Sequence, residues 1–145
     1  MRSFSVVFEP VDGLAGVKVP VRATQGSACY DLSAIEAATV RQGAVTLVRT
    51  GLRVRCPVGT FLEVRPRSGL SSRGVVMVNA PGTIDRDYAG EILVPLTYLF
   101  EGSYRLDAGD RIAQIRLVAE TPARFRRGSV RPQGSRSGGF GSTGR

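Results

Sequence analysis

The sequence predicts an all-β fold, a jelly-roll-like distorted barrel or sandwich with one short helical turn and an extended C-terminal arm. Short runs rich in β-branched residues recur at regular spacing between glycines and prolines, and several alternate in polarity, as residues 52–55 do. Only residues 68–73 have the features of a helical turn. From Thr121 onward the runs give way to arginine, glycine and serine. Many short strands without helices are typical of sandwiches and jelly rolls.

The individual elements follow from these runs. Eight of them, each four to eight residues long and bounded by turn residues, are the predicted strands. In chain order they are Ser5–Phe8, Val17–Val21, Ala44–Val48, Gly51–Arg55, Phe61–Val64, Val75–Val78, Glu91–Leu96 and Arg111–Val118. The helical turn is expected over Ser68–Arg73, because a serine placed after Pro66 can serve as its N-cap.

Length and charge divide the chain into a body and an arm. The 145 residues are enough for one domain, which we expect over residues 1–120, with a basic glycine-rich arm over residues 121–145. Most of the net charge of +8 belongs to the arm, which has six arginines and no acid, whereas the body has 14 bases and 12 acids. A basic arm suits a polyanion, either a nucleic acid or a small polyphosphate.

The composition removes several classes of function. The chain has no histidine and one lysine, Lys18, which closes most routes to acid–base or nucleophilic catalysis. Two cysteines, Cys29 and Cys56, argue against a zinc site and are expected to be reduced structural thiols. No apolar run reaches the ~18 residues of a membrane span, and the N-terminus has no signal-peptide pattern. We therefore expect a cytoplasmic or nuclear protein that is not secreted and has no membrane partner.

The segment GTIDRDYAGE, residues 82–91, is the first candidate for chemistry. It places Asp85 after a β-branched residue and three residues before Tyr88, between turn glycines. Because it lies between two predicted strands, we expect it to be the tip of a β-hairpin, where unpaired backbone groups could read the edge of a planar base. The alternative is a tight turn with two solvated acids, Asp85 and Asp87.

Three further segments carry groups that suit phosphate. PRSGL, residues 66–70, offers a guanidinium, a hydroxyl and free backbone amides. GDRIAQIRL, residues 109–117, places the amide of Gln114 in an apolar run, where it could hold a water or a phosphate. GGFGSTG, residues 138–144, offers glycine backbone, two hydroxyls and the ring of Phe140, but it lacks the P-loop lysine. The ordinary alternatives are a capped surface turn, a plain strand and a disordered terminus.

A fifth segment, SACYDLSA at residues 27–34, adds the carboxylate of Asp31. Magnesium bound to a polyphosphate keeps several waters and needs only one or two carboxylates nearby, which suits Asp31, although it could equally cap a turn. Together SACYDLSA, PRSGL, NAPGTIDRDYAGE, GDRIAQ and GGFGSTG closely resemble the five motifs of the trimeric dUTP pyrophosphatases, or dUTPases. The resemblance spans residues 27–144.

This resemblance implies a jelly-roll homotrimer that uses Mg²⁺ to hydrolyse dUTP to dUMP and pyrophosphate. That reaction limits uracil in DNA and supplies dUMP for thymidylate synthesis. The family's active sites lie between subunits, and its C-terminal arm closes over the nucleotide in a neighbouring site.

The resemblance also implies roles for individual residues. Asp85 would activate the attacking water, with Gln114 as the second catalytic residue, while Tyr88 would pack under the deoxyribose and exclude a 2′-hydroxyl. Asp31 would contact Mg²⁺ through waters. The residues that would read uracil are Asn79, Gly82, Thr83 and Ile84. Those that would hold the phosphates or close over the nucleotide are Arg67, Ser68, Gly69, Gln114, Arg136, Phe140, Gly141, Ser142 and Thr143.

Two positions depart from the family's pattern, and three alternatives stay open. Cys29 stands where the family usually has glycine, and Arg136 is displaced by one residue from the usual arginine of the fifth motif. A dCTP deaminase shares the fold but is expected to have a different third motif. A catalytically weak signalling or interaction protein on the same scaffold is the alternative from another class. A nucleic-acid-binding module fits less well, because the arm has few aromatic residues for base stacking.

Overall fold

A computed structural model describes residues 4–130 of the chain. Within this range the chain forms short strands and one helical turn. Their bounds are β1 (Val7–Pro10), β2 (Tyr30–Ser33), β3 (Ala38–Arg41), β4 (Thr46–Arg49), β5 (Leu52–Arg55), β6 (Thr60–Arg65), α1 (Ser68–Ser71), β7 (Val75–Met77), β8 (Gly82–Ile84), β9 (Leu93–Tyr98), β10 (Ser103–Leu106) and β11 (Arg111–Ala119).

The strands form two sheets and two two-stranded ribbons. The first sheet has the order β2-β11-β6-β8, and the second has the order β4-β9-β7. The ribbons pair β1 with β5 and β3 with β10. Every named strand pair is antiparallel. The predicted all-β class is confirmed.

Alternating side chains of both sheets and both ribbons build one hydrophobic core. In β6 every second residue, at positions 60, 62 and 64, is buried, and β9 buries Val94 and Leu96 in the same way. Successive side chains of a strand point to opposite faces, so this period of two lets one face pack while the other meets solvent. The sequence predicts these two strands from their apolar and β-branched runs, and the structure adds the alternation in burial.

Seven of the eight predicted strands are present, with ends that differ by at most two residues. The prediction of a strand over Val17–Val21 is wrong. Only Val21 forms an isolated bridge there, with Asp31, and Pro20 has no N–H to donate to a strand ladder. The strands β2, β3, β8 and β10 were not among the predicted runs, because they are three or four residues long and most of their side chains are not buried.

The helical turn is shorter than predicted and begins differently. It covers Ser68–Ser71, and Ser68 is its first helical residue rather than its N-cap. Arg67 occupies the N-cap position with extended backbone (φ −102°, ψ 130°), and its carbonyl accepts the N–H groups of Leu70 and Ser71. An arginine side chain has no acceptor, so the cap forms no side-chain hydrogen bond and the Arg67 guanidinium makes its contacts elsewhere.

The last described residues, 121–130, follow β11 as exposed chain without secondary structure. The predicted arm residues Arg136, Phe140, Gly141, Ser142 and Thr143 lie outside the described residues. Between residues 4 and 130, no helix is long and apolar enough to cross a membrane.

Candidate active site

One row of the first sheet brings three of the five motifs together. In the register of this sheet, Asp31 of β2 is opposite Gln114 of β11, which is opposite Arg65 of β6. Neighbouring strands lie about 4.8 Å apart, so the row is only two strand spacings wide. The segment PRSGL begins at Pro66, directly after this row, and therefore turns away from the sheet beside Asp31 and Gln114.

Asp31 is bound by two arginines. The Nε of Arg67 donates to its Oδ1 at 3.0 Å, and Nη1 of Arg111 donates to its Oδ2 at 3.1 Å. The Asp31 side chain is only 13% exposed. A carboxylate removed from water in this way needs a paired charge, and the two arginines provide it. Nη1 of Arg67 also donates to the main-chain oxygen of Arg111 at 3.0 Å. These three bonds fix the Arg67 guanidinium at the start of the helical turn.

Gln114 holds the turn from the other side. Its Nε2 donates to the main-chain oxygen of Pro66 at 2.9 Å. The side-chain amide has a second N–H and a carbonyl oxygen, both of which could still meet a ligand or a water. The amide in an apolar strand therefore has a structural use, beside the phosphate contact that the sequence suggested.

These residues line a cleft of about 170 Å³. Its walls are Ala23, Ser27, Cys29, Asp31, Arg67, Ser68, Gly69 and Gln114. Cys29 belongs to this cleft, whereas Cys56 is buried in the core, where burial raises the pKa of its thiol. Both cysteines are free thiols, as predicted.

The residues of the cleft fit a magnesium ion only in one way. Asp31 is the single carboxylate among the lining residues, and no group of three or more His, Cys, Asp or Glu side chains is clustered anywhere in residues 4–130. Mg²⁺ does not need a protein cage when phosphates and waters supply most of its ligands. The cleft thus suits an ion that arrives with a polyphosphate and meets Asp31 through water.

The segment 79–91 builds a second set of groups at the other edge of the first sheet. Asn79 lies over Gly82, where an added Cβ would come within 3.2 Å of its side-chain nitrogen. Gly82, Thr83 and Ile84 form β8, which pairs with β6 along one edge and ends the sheet. Asp85 follows at once and is exposed. Its carbonyl accepts the N–H of Tyr88 at 3.1 Å, which closes a tight turn.

The hairpin prediction for this segment needs a correction. β7 and β9 do pair, so the flanking strands form the expected hairpin. The residues between them are not a simple tip, because after β7 the chain crosses to the first sheet, where β8 pairs with β6. A strand partner in the other sheet fixes the backbone ahead of Asp85 more firmly than a free turn would.

Tyr88 is placed by the end of the same segment. Its hydroxyl donates to the main-chain oxygen of Glu91 at 2.9 Å, and an added Cβ on Gly90 would come within 2.6 Å of its Cζ. The ring therefore rests on the glycine backbone and leaves 43% of the residue exposed. Glu91 in turn pairs with Arg49, and this hydrogen bond and charge raise the pKa of the Arg49 guanidinium.

Within a single chain, Asp85 does not lie at the cleft. Leu62 pairs with Ile84, so the continued register places Asp85 beside Phe61. Arg67 is six residues further along β6 and its extension, which corresponds to about 20 Å of extended chain. None of the residues that line the cleft comes from segment 79–91. The motif residues thus form two separate groups on each chain.

Comparison with known proteins identifies the family that carries this arrangement. The family model for dUTPase matches residues 15–144. The chain belongs to the dUTPase family. The deoxyuridine 5′-triphosphate nucleotidohydrolase of Helicobacter pylori is 44% identical over 128 residues, which cover 87% of this chain and 88% of the relative. The predicted family and enzyme class are confirmed.

Solved structures agree with this dUTPase fold. The crystal structure of dUTPase from Streptococcus mutans matches with a TM-score of 0.77 and 28% identity, and covers 81% of this chain and 98% of that one. The dUTPase of Staphylococcus bacteriophage 80alpha with dUPNHPP matches with a TM-score of 0.80 at 24% identity, and covers 97% and 98% of the two chains. At that identity the second match supports the fold alone. The jelly-roll prediction is confirmed.

Three contributors to the site were missed by the sequence reasoning. Arg111 pairs with Asp31. Arg49 and Glu91 form an ion pair, and the main-chain oxygen of Glu91 accepts the hydroxyl of Tyr88. Arg111 and Glu91 lie inside the quoted motifs GDRIAQIRL and GTIDRDYAGE. In the sequence, each of these charged residues directly precedes an isoleucine that is buried, and this was the signal that could have identified them. Arg49 is 42 residues from Glu91, so only the fold reveals its part.

Proposed function

We propose that this dUTPase-family chain hydrolyses dUTP to dUMP and pyrophosphate at sites shared between copies of the chain. The observation that carries the proposal is the division of the motif residues into two groups. The cleft holds the phosphate-binding candidates, while Asp85 lies about 20 Å away along the sheet. A second copy that brings its Asp85 to this cleft completes the site. Head-to-tail contacts between unlike surfaces form a ring when the rotation closes, and the homotrimer that the family resemblance implies is such a ring.

The cleft supplies the donors that a triphosphate needs. Arg67 has five N–H donors, and two of them have partners among the described residues. Ser68 and Gly69 add a hydroxyl and backbone N–H groups of the first helical turn, which have no intrahelical partner. Gln114 lines the same cleft, and its Nε2 has a second N–H besides the one donated to Pro66. Charge-assisted bonds from arginine to phosphate are about twice as strong as neutral ones.

The nucleoside would bind at β8 of the adjacent chain. β8 is an edge strand, so backbone groups of Gly82–Ile84 on its open side are available to the edge of uracil. Asn79, packed on Gly82, adds an amide at the same place. Tyr88, three residues beyond Asp85, would then pack under the deoxyribose and exclude a 2′-hydroxyl.

Asp85 would act as general base on a water. The water oxygen forms a bond to the α-phosphorus, the bond from that phosphorus to the bridging oxygen breaks, and pyrophosphate leaves. The water proton passes to the Asp85 carboxylate, and such a positioned base contributes about 10²–10⁴-fold. Bound Mg²⁺, held through waters near Asp31, would neutralise phosphate charge. Arg67 and Gln114 supply the remaining alignment.

The C-terminal arm would close over the nucleotide in a neighbouring site. Its arginines suit a triphosphate, and by family resemblance Phe140 would stack on uracil while Ser142 and Thr143 reach the γ-phosphate. We expect Arg136→Ala to lower kcat for dUTP by about tenfold or more, since one lost charge-assisted bond to phosphate costs about 1.5–3 kcal/mol. Steady-state kinetics of the full chain tests this, with a melting temperature equal to wild type as the control. An unchanged rate would show that the displaced arginine does not clamp the nucleotide.

The test of the proposed function is a substrate panel. Pyrophosphate release is measured with dUTP, dTTP, UTP and dCTP in the presence of Mg²⁺. We expect turnover of dUTP alone, because the family resemblance implies that β8 would leave no space for the thymine methyl and that Tyr88 would exclude a ribose. A chain that binds dUTP without turning it over would instead be an interaction protein on the dUTPase scaffold. An enzyme that turns over dUTP alone would limit uracil in DNA and supply dUMP.

A further inference from the structure

We propose that the Arg49–Glu91 ion pair is a positioning element for Tyr88 and thereby sets the preference for deoxyribose over ribose. This inference rests on the proposed function, in which Tyr88 packs under the sugar. Neither residue lines the cleft or has a proposed contact with the substrate, so both would act through the tyrosine.

The Glu91 carboxylate is held by a dense set of donors. Nε of Arg49 lies 3.2 and 3.1 Å from its two oxygens, and Nη2 lies 3.0 Å from Oε2. The main-chain N–H of Gly51 donates to Oε1 at 2.8 Å. The Glu91 side chain is 16% exposed, and a bidentate arginine–carboxylate pair adds geometric specificity as well as strength. The carboxylate is therefore fixed to the junction of β4 and β5.

The main chain at Glu91 is the acceptor for Tyr88. Its carbonyl oxygen receives the Tyr88 hydroxyl at 2.9 Å, and the ring rests on Gly90. The next residue, Ile92, is bound to the same junction: its N–H donates to Leu52 and its carbonyl accepts the hydroxyl of Thr50 at 2.7 Å. The position of the ring thus follows from the attachment of residues 91–92 to residues 49–52.

The exclusion of a 2′-hydroxyl depends on the place of the ring. The difference between dUTP and UTP is one oxygen atom, so a small displacement of the ring makes room for it. Arg49 makes three of the four hydrogen bonds to the Glu91 carboxylate, and it is the only side chain that holds this carboxylate among residues 4–130. Loss of Arg49 is expected to release the Glu91 main chain and with it the acceptor of the Tyr88 hydroxyl.

The test compares kcat/KM for dUTP and UTP in Arg49→Met and Glu91→Gln. We expect the dUTP:UTP ratio to fall by about 10- to 100-fold, since a misplacement of about 1 Å costs up to 10²-fold. Glu91→Gln keeps an acceptor for the Gly51 N–H, and it provides the same test if Arg49→Met does not fold. Tyr88→Phe removes the hydroxyl from the same chain of contacts, so its effect on the ratio should not add to that of Arg49→Met. Glu36→Gln is the matched control, because Glu36 lies 3.8 Å from Arg49 at the surface.

A second readout does not depend on activity. Fluorotyrosine is incorporated at the four tyrosines, and the Tyr88 signal is assigned by its loss in Tyr88→Phe. The ¹⁹F signal of Tyr88 should shift in Arg49→Met and Glu91→Gln and stay in place in Glu36→Gln. An unmoved signal overturns the positioning role, even if the wild type fails to hydrolyse dUTP and the proposed function falls. A proportional loss for both nucleotides, with the ratio unchanged, overturns the role in sugar selection.

Discussion

Replacement of Asp85 by asparagine is expected to lower kcat for dUTP by about 10²–10⁴-fold and to leave the affinity for nucleotide unchanged. Asparagine has the same shape but cannot accept the water proton. Asp85 is exposed, and its carboxylate has no hydrogen-bond or ion-pair partner within residues 4–130, so the substitution should not disturb the fold. Pyrophosphate release gives kcat, and calorimetry with a non-hydrolysable dUTP analogue gives the dissociation constant.

Asp87 provides the matched control. It is an exposed aspartate in the same turn, two residues after Asp85. Asp87→Asn changes the local charge by the same amount and should leave kcat close to the wild-type value, because Asp87 has no proposed contact with the reacting atoms. As a surface substitution it should change the free energy of unfolding by at most about 0.5 kcal/mol. Equal turnover by Asp85→Asn and wild type would refute the assignment of Asp85 as the base.

Replacement of Arg67 by leucine is expected to lower kcat/KM for dUTP by about 10²–10³-fold, the loss seen when one preorganised donor to a developing charge is removed. The guanidinium is fixed by Asp31 and the Arg111 carbonyl, and Arg67 lines the cleft. Leucine can make none of these bonds. Steady-state kinetics should show the lower kcat/KM, and calorimetry should show a lower affinity for the dUTP analogue. In contrast, Asp85→Asn should lower kcat alone.

Arg111→Ala separates phosphate binding from the pairing of Asp31. The Arg111 side chain bonds to the same carboxylate, at 3.1 Å, but it does not line the cleft. Its removal leaves Asp31 paired with Arg67, so the loss of activity should be much smaller than for Arg67→Leu. Equal losses would show that Arg67 acts only as a partner of Asp31.

The sequence predicts the fold well where apolar and β-branched residues form a run and poorly where such residues are few. The strands β6 and β9 bury every second residue over much of their length, β11 buries Ile112, Ala113 and Ile115, and each of the three was predicted within two residues of its ends. The strands β3 and β10 pair only with each other, have four residues each and bury only Val40 and Leu106, so neither forms an apolar run that stands out in the sequence. Val17–Val21 has the composition of a strand, but Pro20 interrupts the ladder.

The candidate site was predicted as a set of motifs but not as an arrangement. Short segments with fixed spacing point to the chemistry of Arg67, Asp85 and Tyr88. The row that joins Asp31 to Gln114 depends on strand register, which a sequence does not state. The crossing of β8 to the first sheet depends on tertiary pairing as well, and it is this crossing that separates Asp85 from the cleft of its own chain.

Complementation between two inactive variants tests the shared site most directly. Asp85→Asn chains retain the cleft, and Arg67→Leu chains retain the base. The two variants are mixed, unfolded and refolded together, and pyrophosphate release from dUTP is measured against each variant refolded alone. If each site takes its cleft and its base from different chains, random assembly should restore up to about a quarter of the wild-type rate. A mixture no more active than its two parents would show that each site is built within one chain.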